Sequence, residues 1–116
     1  MARGDIVFVD LPAPRGSAGS EQTGPRPALI VHEDATINSF SVIMIVPFTS
    51  RLAAQRFAHT IIVPPTASNG LSTSSVLLIF QLRAIDKRRI GGKIGQLEPD
   101  LMNQVEIELK ALLGLS

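Results

Sequence analysis

Cysteine is absent from the 116 residues, which excludes disulfides, thiolate metal sites and cysteine nucleophiles together. Tryptophan and tyrosine are absent too, so five Phe are the only aromatics. Charge is sparse at 18% of residues, and 11 Lys/Arg stand against 10 Asp/Glu, so net charge alone argues for no polyanion. Long apolar runs are also lacking. The longest, residues 42–48 and 76–80, fall far short of the ~20 residues that cross a bilayer. The start, Met-Ala-Arg-Gly-Asp, has an acid at position 5 and no apolar h-region behind it. These absences predict a soluble cytoplasmic protein with no membrane partner. The 45% hydrophobic content excludes disorder, and the length suits a single domain over residues 1–116.

Chemistry-bearing clusters are scarce as well. His32 and His59 stand alone, with no H-E-x-x-H and no acidic cluster beside them, so no metal site is expected. Gly91-Gly92-Lys93 lacks Walker spacing, no GxGxxG follows a strand, and Ser72-Thr73-Ser74-Ser75 reads as turn material. No cofactor is expected.

What is present is a series of short β-branched runs. Residues 6–11, 28–31, 41–47, 60–63 and 76–80 read as five strands, with a weaker sixth near residues 93–95. The second is opened by Pro27, the position at which a strand can spare an N–H. Residues 42–46 and 76–80 are apolar without alternation, which predicts burial on both faces. Eight of the fourteen residues 12–25 are Pro, Gly or Ser, a loop of a length that is uncommon without a function. The tail is the one strong helix: Pro99 and Asp100 suit its first turn and Gly114 its C-cap. Leu101, Val105, Leu109 and Leu112 fall on one face, widened by Met102 and Leu113. Together these predict a mainly β (α+β) domain, a bent antiparallel sheet or partly open barrel of 5–6 strands with a C-terminal helix.

Charge is uneven along the chain. Residues 1–97 hold ten Lys/Arg against six Asp/Glu, a balance of +4, and residues 98–116 hold one against four, a balance of −3. A polyanion would therefore face away from the helix. Arg26 lies between Pro25 and Pro27, and a residue before proline is kept out of the helical region. That restriction suits a guanidinium held toward a phosphate. Thr49 and Ser50 add two hydroxyls at the end of the third strand. Taken singly, each also reads as an ordinary surface or turn residue.

Several stretches taken in order carry a resemblance: Arg3-Gly4-Asp5-Ile6-Val7, Gly19-Ser20-Glu21-Gln22, Arg26-Pro27-Ala28-Leu29-Ile30-Val31, Val46-Pro47-Phe48-Thr49-Ser50, Ala58-His59-Thr60, and the run from Gln81 through Arg83-Ala84-Ile85-Asp86-Lys87-Arg88-Arg89. The chain resembles the MazF/PemK family of toxin endoribonucleases across nearly its whole length. The resemblance implies an SH3-like, CcdB/MazF-like barrel, a homodimer, metal-independent cleavage of single-stranded mRNA and a MazE-like antitoxin partner. By position, Arg26 and Thr49 match catalytic residues and Glu21 an acidic residue implicated in some members. Ser20, Gln22 and Gln81 match residues lining the RNA groove, with Ser50 beside Thr49 as a further RNA contact.

The chain departs from the family pattern in two places. The first loop carries about two extra residues around Ser17-Ala18-Gly19. Leu78 and Phe80 stand where some members carry an Arg and an acid, so catalysis falls to Glu21 as base, Arg26 as charge stabiliser and Thr49 as phosphate donor. With so few aromatics, base recognition is expected to use hydrogen bonds and loop shape instead of stacking. Two other readings stand beside this one. One is a catalytically degenerate RNA- or partner-binding module, suggested by Leu78 and Phe80. The other is a CcdB-like gyrase inhibitor, disfavoured because that family ends in aromatics and this chain ends Leu115-Ser116.

Overall fold

The computed structural model describes residues 1–12 and 24–115. Its elements are β1 (Asp5–Leu11), β2 (Gly24–Ile30), β3 (Val42–Thr49), β4 (Thr60–Val63), β5 (Ser75–Leu78), β6 (Arg83–Asp86), β7 (Ile90–Gln96) and α1 (Pro99–Leu112). The described strands form one seven-stranded sheet in the order β4-β5-β3-β2-β1-β7, with β6 also on β3 and every pairing antiparallel. The sheet does not close. The expected partly open barrel with a C-terminal helix is present, with one strand more than the five or six expected.

The extra strand is β6, where only Ile85 of Arg-Ala-Ile-Asp is fully buried, so no apolar run announces it. Strand β5 stops at Leu78, short of the expected residue 80, because Ile79–Gln81 curl into a 3₁₀ turn. That turn has a topological cause. β5 pairs with β3 at Phe48 and Thr49, and β6 pairs with the same strand from Val42 to Ile45, so the chain must step out between them.

Alternation on β1, β2 and β3 sorts the interior into two cores. Ile6, Leu29, Val46 and Phe48 point to one face, where α1 lays Val105 into them with Leu101, Met102, Leu109 and Leu112 around it. Val7, Val9, Ala28, Ile30, Ile43 and Ile45 point to the other and meet Ile37 and Ile85. Burial on both faces was the expectation for residues 42–46, and it holds for Ile43, Ile45 and Val46; Val42 at the strand's start is exposed. Leu113 does not widen the helix stripe. It is 56% exposed, because it lies past the last turn, where Gly114 (φ +71°) reverses the chain and Leu115 N–H reaches Lys110 O at 2.8 Å.

One buried amide ties the β4–β5 connection to the far edge of the sheet. Asn69 is fully buried; its Oδ1 accepts from Thr66 N–H and Leu71 N–H, both at 3.0 Å, and its Nδ2 donates to Pro64 O at 2.9 Å and Glu98 Oε1 at 3.3 Å. The next residue, Gly70, has φ +69° and stands so close to β7 that a Cβ there would lie 1.9 Å from Ile94 O. Thr66 Oγ1 donates to Glu98 Oε2 at 2.6 Å, and this bond, followed by that from Asn69, holds the Glu98 carboxyl below its ordinary pKa.

A depressed folded-state pKa contributes stability that is present above the unfolded value, 4.5, and is lost as pH falls through the folded one. Glu98→Gln is therefore expected to be less stable than the parent at pH 7, with the gap narrowing below about pH 4.5, as read by urea midpoints across that range. A gap independent of pH would contradict the assignment.

Candidate active site

Arg26 and Thr49 lie at the end of the β2–β3 pairing, where Pro25 and Pro27 flank Arg26. The β2–β3 register pairs Ala28 with Pro47. Continued outward, it sets Pro27 against Phe48 and Arg26 against Thr49. Pro27 has no N–H to give the Phe48 carbonyl, and Arg26 Nη1 donates to that oxygen instead, at 3.4 Å. The ladder opens here, and the guanidinium lies over the opening. Arg26 stands opposite Val9 on β1, so it shares the face of the second core, away from α1. Thr49 has the same strand parity as Ile43 and Ile45 and faces the same way.

Thr49 is 6% exposed and is itself held: Arg51 N–H donates to its Oγ1 at 3.2 Å, closing a two-residue turn. Ser50 is the exposed residue inside that turn. Burial of Arg26, and next the like charge of Arg51, pull the Arg26 pKa below the ordinary guanidinium value. Two guanidiniums thus converge on the end of β3. An anion arriving between them would relieve their repulsion and meet Arg26 in a partly dry setting, where attraction is stronger than in water.

Gln81 is half-buried in the 3₁₀ turn on the same edge of β3, between the β5 and β6 pairings. Leu78 is 1% exposed, so β5 presents no charge where some family members carry an Arg. Ser20, Glu21 and Gln22 lie outside the described residues. Arg26, Thr49, Ser50 and Gln81 are therefore gathered along β3, with Glu21 left unplaced.

Arg51 is the residue that sequence reading missed. The available signal was the distribution of acids: between Asp34 and Asp86 there is no Asp or Glu at all, so Arg51 and Arg56 have no carboxylate near them in sequence. The more conspicuous cations downstream are engaged. Arg88 pairs with Asp86 at 3.0 Å, Arg89 with Asp10 at 3.9 Å, and Lys93 with the buried carboxylate of Asp5 at 3.3 Å. The acids of α1 are also drawn in, Glu106 by Arg3 at 3.2 Å and Glu108 by His59 at 2.9 Å. Among the described residues, no group of three or more His, Cys, Asp or Glu side chains could hold a metal ion. No helix among them is long and apolar enough to cross a membrane.

Residues 2–113 match the family described as PemK-like, MazF-like toxin of type II toxin–antitoxin systems. The endoribonuclease EndoA of Bacillus subtilis (strain 168) is 34% identical over 115 residues, covering 99% of this chain and 96% of the relative. Among solved structures, MazF (Form-I) from Deinococcus radiodurans superposes with a TM-score of 0.79 at 27% identity, over 98% of this chain and 96% of that one. A MazE–MazF structure (Form-II) from the same organism gives 0.75 at 25% identity, over 100% of this chain and 97% of that one.

The local geometry has its own check. Thr49→Val keeps the shape and removes the Oγ1 acceptor, leaving Arg51 N–H without its partner, at an expected loss of about 1 kcal/mol in stability. Arg51 amide exchange should quicken in Thr49→Val and stay slow in Thr49→Ser, as measured by hydrogen-exchange NMR. Equal exchange rates in the two variants would remove the turn from the site.

Proposed function

The chain belongs to the PemK-like, MazF-like toxins of type II toxin–antitoxin systems, and on that premise we propose that it is an endoribonuclease cutting single-stranded RNA by attack of the substrate's own 2′-hydroxyl. The observation that carries the chemistry is the guanidinium of Arg26, held over the open end of the β2–β3 ladder beside Thr49. In such a reaction the 2′-oxygen bonds to the adjacent phosphorus, its proton passes to a base, and the 5′-oxygen leaves with a proton. Negative charge builds on the phosphoryl oxygens in between. Arg26 stays protonated throughout, so its role is to stabilise that charge, with Arg51 behind it.

Thr49 Oγ1 accepts from Arg51 N–H and keeps its own hydrogen to donate to a phosphate oxygen. Glu21 is the proposed base on grounds of sequence position. Ser20, Gln22, Ser50 and Gln81 are the proposed RNA contacts. The cytoplasm is the proposed compartment, and a MazE-like antitoxin the proposed protein partner. A second copy of the chain is proposed to complete the toxin as a homodimer. The exposed Phe8, Phe40 and Val42 are more apolar surface than a small monomer needs to show.

The products test the mechanism. Cleavage should persist in excess EDTA and leave a 2′,3′-cyclic phosphate, or the 3′-phosphate it opens to, and a 5′-hydroxyl. DNA of the same sequence should bind without being cut, because phosphate contacts need no 2′-hydroxyl. Arg26→Ala should lower the rate at least about 100-fold with a native circular dichroism spectrum, and Thr49→Ala should lower it less. A 5′-phosphate on the downstream fragment would defeat the mechanism. Binding of RNA without any cut would make the chain a degenerate binding module.

The assembly is tested separately. Sedimentation equilibrium at micromolar concentration is expected to return twice the 12.4 kDa of the chain. A monomer there would contradict the homodimer.

A further inference from the structure

The five Phe side chains were expected to be too few for stacking, and the structure groups two of them outside the core. Phe57 closes the 3₁₀ turn Leu52–Arg56 and is 47% exposed; Phe80 sits in the turn Ile79–Gln81 and is half-buried. Their ring centroids are 5.7 Å apart with planes at 60°, and the Arg56 guanidinium carbon lies 4.9 Å over the Phe57 ring. An exposed large aromatic held in place by a second ring and capped by a cation is costly to leave in water without a use.

Its position is set by the strands. Thr60 Oγ1 donates to Phe57 O at 2.9 Å and Gln55 O at 3.3 Å, which fixes the turn over the strand. Thr60 pairs with Leu78 on β5, two residues along from Val76, and Val76 pairs with Thr49. Partners across a ladder and alternate residues along a strand share a face, so Thr60, Leu78, Val76 and Thr49 all point the same way. The turn that carries Arg56 and Phe57 therefore lies on the face of Thr49, and it is joined to Thr49 through Ser50 and Arg51. From the Val76 row to Phe80 the chain advances two strand residues and a short 3₁₀ step, roughly 10 Å. That distance is of the order of one or two nucleotides. Gln81 stands next to Phe80 in the same turn.

We infer that Phe57 and Phe80, with Arg56 above the ring, form a nucleobase-stacking subsite beside the scissile-phosphate site, so that a base flanking the cut is gripped by its face. The inference rests on the proposed action on single-stranded RNA and adds to it a place where one base is held. Aromatic stacking takes any base, so the subsite supplies affinity through the rings.

The absence of Trp and Tyr makes the test clean, since 2-aminopurine fluorescence is seen without protein background. The probes are single-stranded 2′-O-methyl RNA nonamers in uridine, cytidine and adenosine backgrounds, with 2-aminopurine at each position in turn. They lack the proposed nucleophile and stay intact. Wild type should quench the fluorophore at one or two adjacent positions. Phe57→Ala and Phe57→Leu should abolish that quenching and weaken binding about tenfold, and Phe57→Tyr should retain both. Phe57→Leu keeps an apolar side chain on the turn, so it reports the ring even where the alanine variant is misfolded.

Unchanged quenching and affinity in Phe57→Leu would overturn the subsite. If wild type cuts RNA while Phe57→Leu binds and cuts as well as wild type, the subsite fails and the endoribonuclease reading stands. If wild type neither cuts RNA nor binds any nonamer, that reading fails first and the subsite with it.

Discussion

Strand β3 is the constraint on which the rest of the molecule turns, because one of its edges is divided between two partners. Phe48 and Thr49 are claimed by β5, Val42 to Ile45 by β6, and the interval between them cannot be spanned by a continuous strand. The 3₁₀ turn at Ile79–Gln81 is the consequence, and it lifts Phe80 and Gln81 out of the sheet beside β3. On the other edge the β2 ladder reaches only to Ala28 and Pro47. The end of β3 is therefore bounded by an irregular turn on one side and an unzipped ladder on the other. Both irregularities expose functional groups that a regular sheet would have covered.

The unzipping is written in proline. Pro27 removes a backbone donor from the edge of β2 that faces β3, and a carbonyl left without its ladder partner is an acceptor seeking a donor. Arg26 supplies it through Nη1. The guanidinium is thus held in part by its own backbone, restricted by Pro27, and in part by a main-chain oxygen. Between Asp34 and Asp86 the chain keeps acids out of this region, while the acids of α1 sit on the opposite face and are partly spent on Arg3 and His59.

Unbroken apolar runs were legible where burial is two-sided, as in β3 and β5, and a β-branched run bounded by proline was legible at Val63 and Pro64. β6 was not legible, because its single buried side chain, Ile85, leaves no pattern to read. The start of β2 at Gly24 was hidden for the opposite reason: Pro25 and Pro27 argue against a strand, yet both place their missing N–H on the edge that β3 does not reach. Among site residues, Arg26 and Thr49 could be named from local chemistry and family resemblance. Arg51 and Phe57 could not, since their roles depend on a hydrogen bond to Thr49 and on a ring brought from residue 80.

The division of labour between strand and turn follows from these constraints. Groups that must meet charge in a fixed geometry, Arg26 and Thr49, project from paired strands, whose cores hold them on both faces. The groups proposed to meet a base, Phe57 and Phe80, ride on short 3₁₀ turns outside the ladders. Neither turn contributes to the ladder between β2 and β3, so a change of base preference need not alter the phosphate site. Asn69 and Gly70 complete the separation. By locking the β4–β5 connection against β7 and the start of α1, they hold the two strands that carry the recognition turns in register with the strand that carries Thr49. On the proposed reading, chemistry rests on the rigid element and base contact on the adjustable one, so that either can change without the other.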